Sequence, residues 1–264
     1  MKVITLFLSL LVFKAQAIEY RDKFLVDKNY IEFKESIKKR IKKEYKSKAF
    51  EANRSFTKKE DSIGCIALTF DACDGRYNKE LIDFLISENI PATLFLSGKW
   101  IDRNIKKAME LSKNNLFEIE NHGLRHRICA LSPEKIYHLK NTKNVDEMID
   151  EIELNNRKIQ AIFGRRPLFY RPAGAYMDYN CQEVVDLLEM KVAGYDNLAG
   201  DSLPKISSKK MADNILKNAR HGMVVLMHLN HPERQEVEAL KIVIPILREK
   251  GFSFCFLKDF VNQE

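Results

Sequence analysis

From residue 62 onward, short apolar runs alternate with amphipathic stretches. Ile63 to Phe70 reads as a buried strand. In the following "NKELIDFLISENI", Leu81, Ile82, Leu85 and Ile86 share one face of a helix. "PATLFLSG" reads as a strand, "IKKAMELSKNN" as a helix, and "LFEIENHG" as a strand running into a loop. "VDEMIDEIELNNRKIQAIFG" predicts a long amphipathic helix ending near Gly164. Beyond it come a strand and loop in "PLFYRPAG", a helix in "CQEVVDLLEM", a strand in "KVAGYD", and a helix in "MADNILKNA". The strand "GMVVLMHL", the helix "EVEALKIVIPILREK" and the strand "FSFCFL" complete the series. Strand-helix alternation implies parallel strands joined by crossover helices. About seven such units predict an α/β fold of the (β/α) barrel kind rather than a two-layer sandwich. No internal repeat interrupts the series.

The first 61 residues differ. Residues 1–17, "MKVITLFLSLLVFKAQA", carry Lys2, an apolar run from Val3 to Phe13, and the small-x-small triplet Ala15-Gln16-Ala17. That is the make-up of a signal peptide; the run is short for a membrane-spanning helix. The expectation is a chain that starts at Ile18 after cleavage and is exported, periplasmic or secreted, with no transmembrane span left. An uncleaved anchor is the competing reading. Residues 18–61 are rich in lysine, with Phe33, Ile37, Ile41 and Tyr45 spaced by four. This predicts a surface helix lying on the main domain, residues 62–264.

The net charge of +7 is modest for 264 residues. It suits an anionic envelope polymer, and no basic-aromatic motif points to nucleic acid. The sequence names no oligomeric state. Five cysteines, Cys65, Cys73, Cys129, Cys181 and Cys255, include no CxxC pair. Export permits a disulfide without saying which. Cys65 and Cys255 lie in apolar runs and read as small core residues.

The polar motifs "DACDG", "NHGLRH", "RPAGAY", "AGDS" and "MHLNHP" each follow a strand. In (β/α) barrels, the C-terminal ends of strands converge on the active site. His122 and His126, four apart, would share one face of a helical turn and could grip one metal ion. Two imidazoles with a carboxylate from Asp71 or Asp74 would complete a hydrolytic zinc site.

"TFDACDG", "HGLRH", "RPAG" and "LMH", in that order, resemble the successive motifs of the polysaccharide deacetylase family, carbohydrate esterase family four. The likeness spans roughly residues 62–260. It implies a distorted, incomplete (β/α) barrel and a hydrolase of carbon–nitrogen bonds other than peptide bonds. Such an enzyme removes acetyl groups from N-acetylated, or sometimes O-acetylated, sugars with a divalent metal. By the resemblance, Asp71 is the general base and His122 and His126 are metal ligands. Arg171 clamps the base through a bidentate fork, and His228 is the general acid, with Leu226 an apolar wall. The family's second, metal-binding aspartate is replaced by Ala72. Asp74 is expected to supply that carboxylate, or failing that to be a turn acid paired with Arg76. Cys73 is read as a small packing residue, with a thiolate ligand as the alternative. Gly174 offers a backbone N–H to an oxyanion, and Tyr176 walls the groove. Asp201 is the expected partner of His228, with Asp196 its competitor; His231 is a second candidate acid. Zinc is the expected metal.

The expected activity is removal of N-acetyl groups from an envelope or extracellular glycan. A secreted glycan-binding protein on a degenerate barrel is the alternative, and a hydrolase of another acyl or phosphoryl ester a further one.

Overall fold

The computed structural model describes residues 25–42, 44–45, 47–52 and 64–261. The leader read over residues 1–17 and the boundary at residues 61 and 62 lie outside them. In chain order the elements begin with α1 (Lys28–Arg40), β1 (Phe50–Glu51), β2 (Cys65–Ala72), α2 (Lys79–Ser87), β3 (Ala92–Leu96), α3 (Gly98–Arg103), α4 (Ile105–Leu111) and β4 (Phe117–Asn121). They continue with α5 (Val145–Phe163), β5 (Phe169–Tyr170), β6 (Tyr176–Met177), α6 (Tyr179–Leu187), β7 (Lys191–Val192) and β8 (Asn197–Leu198). The last are α7 (Ser208–Lys217), β9 (Val224–His228), α8 (Glu236–Glu249) and β10 (Ser253–Cys255).

Seven parallel strands run in the order β7-β5-β4-β3-β2-β9-β8, and β10 pairs with the start of β2. The sheet curls without closing, as the expected incomplete barrel requires. Its strands carry a two-residue alternation. Ile66, Leu68, Phe70 and Ala72 of β2 pack outward against Leu81 and Leu85 of α2 and Leu240 and Val243 of α8. Cys65 and Ala67 point inward, with Phe95, Phe169 and Val224. Burial on both faces explains why β2 reads as a continuous apolar run rather than an alternating one. The two-residue strands β5, β7 and β8 lie toward the ends of the order; β8 had no recognisable sequence signal.

The lysine-rich helix α1 lies on α5 and α6. The Tyr30 hydroxyl donates to Asp150, and Lys34 pairs with Asp150 at 2.7 Å. Ile37 is buried among Met148, Ile149, Val184 and Val185. The expected stripe needs correction. The helix stops at Arg40, Phe33 is exposed, and the buried pair is Tyr30 and Ile37, two turns apart. β1 then pairs antiparallel with β6, and Ala52 N–H donates to Ala175 O at 2.7 Å. The extension thus braces the loop after β5. Among the described residues no helix is long and apolar enough to cross a membrane.

Cys65 and Cys255 are joined to each other, which corrects their reading as free core residues, and Cys129 is joined to Cys181. The first pair follows from register: Ser253 lies opposite Cys65 and Cys255 opposite Ala67 in neighbouring parallel strands. Below the strand ends the interior holds acids. Glu120 is fully buried; its carboxylate accepts the Phe169 N–H at 2.7 Å and pairs with Arg165 at 3.1 Å. Burial pushes its pKa up to about 8, with Arg165 opposing and Glu118 adding to the rise.

Two outcomes are expected. Cys65→Ser, which frees the 190-residue separation in the unfolded chain, should cost about 2–5 kcal/mol in denaturant unfolding. Glu120 binds a proton more tightly folded than unfolded. Its share of stability is therefore whole below about pH 4.5 and is lost as pH rises toward about 8. Unfolding midpoints of Glu120→Gln should fall less steeply than wild type across that window; identical slopes would refute the assignment.

Candidate active site

The site is built by strand alternation. Thr69 and Asp71 of β2, Glu118 and Glu120 of β4, and Val224 and Leu226 of β9 form inward columns. Continuing each by two residues gives Cys73, His122 and His228. Register sets the columns side by side: Asp71 lies opposite His228 on β9 and opposite Phe95 on β3. The outward neighbour Asn121 instead turns to α5, donating to Ile152 O and Asn156 Oδ1.

Arg171 follows β5 and is wholly buried. One nitrogen donates to Asp71 Oδ1 at 2.9 Å and to Thr69 Oγ1 at 2.8 Å. The others donate to Ala193 O and Gly194 O, and the guanidinium carbon sits 4.0 Å from the Phe95 ring centroid. The clamp on Asp71 is therefore single, not the expected two-pronged fork; the second prong goes to backbone carbonyls. Burial alone would raise the Asp71 pKa, but His122, Arg171 and His228 outweigh it and hold the carboxyl below its usual range.

His122 Nδ1 faces Arg171 O at 2.8 Å, so that nitrogen carries the proton and donates. This leaves Nε2 facing Cys73 Sγ at 3.5 Å and Asp71 Oδ2 at 3.6 Å. The segment from His122 to His126 is a bent loop, not the helical turn expected. His126 takes φ +56°, a left-handed backbone that costs a non-glycine residue energy and needs outside support. The support is Glu151 of α5, which sequence reasoning missed. Its carboxylate accepts the N–H groups of Arg125 and Arg127, on either side of His126, at 2.9–3.1 Å. Its backbone carbonyl accepts from Leu124 N–H. Nothing in the sequence marks it out: the helix carries five acids, Asp146, Glu147, Asp150, Glu151 and Glu153, and no spacing ties one of them to this loop.

Asp74 does not reach the cluster, contrary to expectation. It leaves the strand outward, accepts from Gly75 N–H and pairs with Arg103 of α3. The turn-acid alternative holds with a different partner, since Arg76 pairs with Glu233. The third donor is Cys73: its sulfur and one nitrogen each of His122 and His126 lie within 4.8 Å of one another. Burial would push the Cys73 thiol up, but the two imidazoles outweigh it and hold it well below its ordinary value. His126 Nε2 is buried without a hydrogen-bond partner. An orphaned ring nitrogen beside a thiol and a second imidazole is a donor set that fits a divalent metal.

On the other side, the Asp201 carboxylate accepts both the backbone N–H of His228 at 2.6 Å and its Nδ1–H at 3.1 Å. Burial lowers the His228 pKa, but Asp201 outweighs it and lifts it well above the usual value. Asp196 is occupied elsewhere, by Arg220 and Val224 N–H. His231 pairs with Glu233 at the surface. Asp71, Cys73, His126, Gly174, Leu226 and His228 line one cavity of about 380 Å³. Tyr137, Tyr195, Leu198 and Leu203 also line it, and sequence reasoning did not find them. Tyr176 stands one layer back, edge-on to Tyr137 at 5.9 Å, instead of forming the wall itself. Gly174 has φ +63°, and a Cβ there would meet the Tyr137 ring at 3.0 Å.

A carboxylate, an imidazole paired with an acid and a metal-type donor set lie around one cavity. The chain belongs to the polysaccharide deacetylase family, whose profile matches residues 58–193. It is 26% identical over 207 residues to a peptidoglycan-N-acetylglucosamine deacetylase of Bacillus cereus, covering 75% of this chain and 88% of the relative. A family four acetyl xylan esterase from Clostridium thermocellum, solved with a cobalt ion, superposes with TM-score 0.63 at 26% identity. That match covers 74% of this chain and 89% of the esterase. A mutant of a family four pseudoenzyme, with restored activity, superposes with TM-score 0.66 at 22% identity, covering 76% and 69%.

Glu151→Gln should weaken zinc binding about 10–100-fold while the protein stays folded, as loss of a group that orients metal ligands does. Competition with a chromophoric chelator measures this; unchanged affinity would remove Glu151 from the role.

Proposed function

We propose that this protein is a metal-dependent hydrolase that removes N-acetyl groups from an envelope or extracellular glycan. The carrying observation is the cross-strand pairing of Asp71 with His228, which sets a base and an acid side by side next to one donor cluster. The relative that acts on peptidoglycan N-acetylglucosamine supports a glycan of that type, and residues 1–17 support export as a signal peptide.

His122 and His126 would hold the metal together with a third donor from the loop after β2. When bound, such an ion supplies Lewis acidity to the acetyl carbonyl and lowers the pKa of water toward about 7. Asp71, kept ionised by Arg171, takes the proton from the attacking water. The backbone N–H of Gly174 donates to the oxygen on which negative charge develops; the N–H groups of Ala175 and Tyr176 are committed to Pro172 O and Ala173 O. His228, charged through Asp201, gives its proton to the departing sugar amine. Leu226 and the tyrosine rings shed water around the acetyl methyl.

One observation favours a second reading, a glycan-binding protein without catalysis. Ala72, fully buried in the outward apolar cluster, stands where the family places a metal-binding acid, and a pseudoenzyme shares this fold. Acetate release from N-acetylglucosamine oligomers by the zinc- or cobalt-loaded protein separates the two. Asp71→Asn should keep its metal and lose acetate release by at least about 10²-fold. Wild-type turnover in that variant would overturn the base assignment, and a loaded wild type that binds the oligomers without releasing acetate would favour the binder.

A further inference from the structure

We propose that Cys73 is the third protein ligand, making this a thiolate centre of Cys73, His122 and His126 in place of an all-imidazole and carboxylate one. The inference rests on the metal-dependent reading above and specifies which atoms hold the ion.

Three geometric facts carry it. Cys73 extends the inward column of β2, two residues beyond Asp71, while Ala72 faces the helices. Its position is fixed by its own carbonyl, which accepts the Ser97 hydroxyl at 2.6 Å. Second, Cys73 Sγ lies 3.5 Å from His122 Nε2. Around a tetrahedral ion with Zn–S of about 2.3 Å and Zn–N of about 2.0–2.1 Å, the sulfur and nitrogen ligands stand about 3.5 Å apart. Third, both imidazoles are prepared for the same point. His122 has its Nδ1 tied to Arg171 O, which aims Nε2 at the sulfur, and His126 Nε2 is buried with no partner.

The competing carboxylates fit less well. Asp74 is held outward by Arg103 and Gly75; Asp71 gives Oδ1 to Arg171, and its Oδ2, though 3.6 Å from His122 Nε2, is not in the group of three donors that lie within 4.8 Å of one another. The remaining four cysteines form the two disulfides, so Cys73 is the one thiol in the chain. A thiolate carries the same single negative charge as the aspartate it replaces, so the net charge of the site is kept. Its softness is not. Thiolate ligands select zinc or cobalt over magnesium, calcium or manganese. Asp71 is also left outside the coordination sphere, with Oδ2, the oxygen that Arg171 does not hold, as the proton acceptor.

The test uses the full protein with cobalt(II) alone and an alkylating reagent. Wild type should bind one equivalent of cobalt with a thiolate-to-cobalt charge-transfer band in the near ultraviolet. Cys73→Ser should lose that band while keeping the native circular dichroism, and Cys73→Asp should bind metal without it. With no variant at all, zinc-loaded protein should resist iodoacetamide at Cys73 at least about 10-fold relative to metal-free protein, because a coordinated sulfur is withheld from the reagent. Cobalt bound without the band, or equal alkylation rates, would overturn the assignment, as would a folded protein that binds no cobalt. The two readings fail separately: a band without acetate release keeps the ligand and defeats the deacetylase, and acetate release without a band does the reverse.

Discussion

The guanidinium of Arg171 is a cation with no access to water, and the top of the barrel is assembled around it. A lone buried charge of this kind is prohibitive unless its donors are met. Here they are met by β2 through Thr69 and Asp71, and by the segment after β7 through Ala193 O and Gly194 O. Phe95 of β3 covers one face, and the residue's own carbonyl accepts a hydrogen bond from Nδ1–H of His122 after β4. One residue, which itself follows β5, therefore ties together β2, β3, β4 and β7 near their C-terminal ends; its side chain fixes the charge of the base and its carbonyl the tautomer of an imidazole. The worth of Arg171 lies less in the strength of the Asp71 pair than in the cost of leaving either partner alone in that interior. This is why a single-pronged contact suffices in place of a fork.

A vertical division of the interior follows. The lower barrel is mostly paired: Glu118 Oε2 accepts from Thr93 and Glu120 from Arg165 and Phe169 N–H, while Glu118 Oε1 has, among the described residues, only Lys258 near it, at 3.7 Å. The upper barrel leaves atoms unsatisfied, His126 Nε2 and Asp201 Oδ1 among them, and both oxygens of the buried Glu236 lie near Asp201 and His228. Buried polar atoms without partners are rare in folded proteins and concentrate where a ligand, ion or water belongs.

The alternation of strands and helices in the sequence carried the barrel, because crossover units repeat a local pattern that needs no long-range information. The same locality set its limits. β8, two residues long, holds no period to read, yet it leads into the loop carrying Asp201. The choice between Asp201 and Asp196 depended on Arg220 and Val224, both distant in sequence. The Cys65–Cys255 bond required knowing that the last strand returns beside the first of the barrel. Glu151 was invisible for a related reason: an acid in the middle of a helix looks like a solvated residue until the loop it supports is placed over it.

Position 74 shows where finer local reasoning would have succeeded. A residue count from Asp71 makes Asp74 the natural replacement for the lost carboxylate, since it is the next acid along. Strand geometry argues otherwise. Side chains on β2 alternate faces, so a donor must lie an even number of residues from Asp71 while the extended backbone continues. Position 72 fails that condition and is filled by a small apolar group suited to the helix-facing cluster. Position 73 meets it and holds a group able to carry charge. Position 74 fails again, and the chain there is already turning toward Arg103. Read with parity, "DAC" places the acid and the thiol on the same side with alanine between them, facing the core. The substitution at 72 then goes together with the arrival of a donor at 73, a transfer of the ligand by one residue that leaves the base, the two imidazoles and the clamp in place.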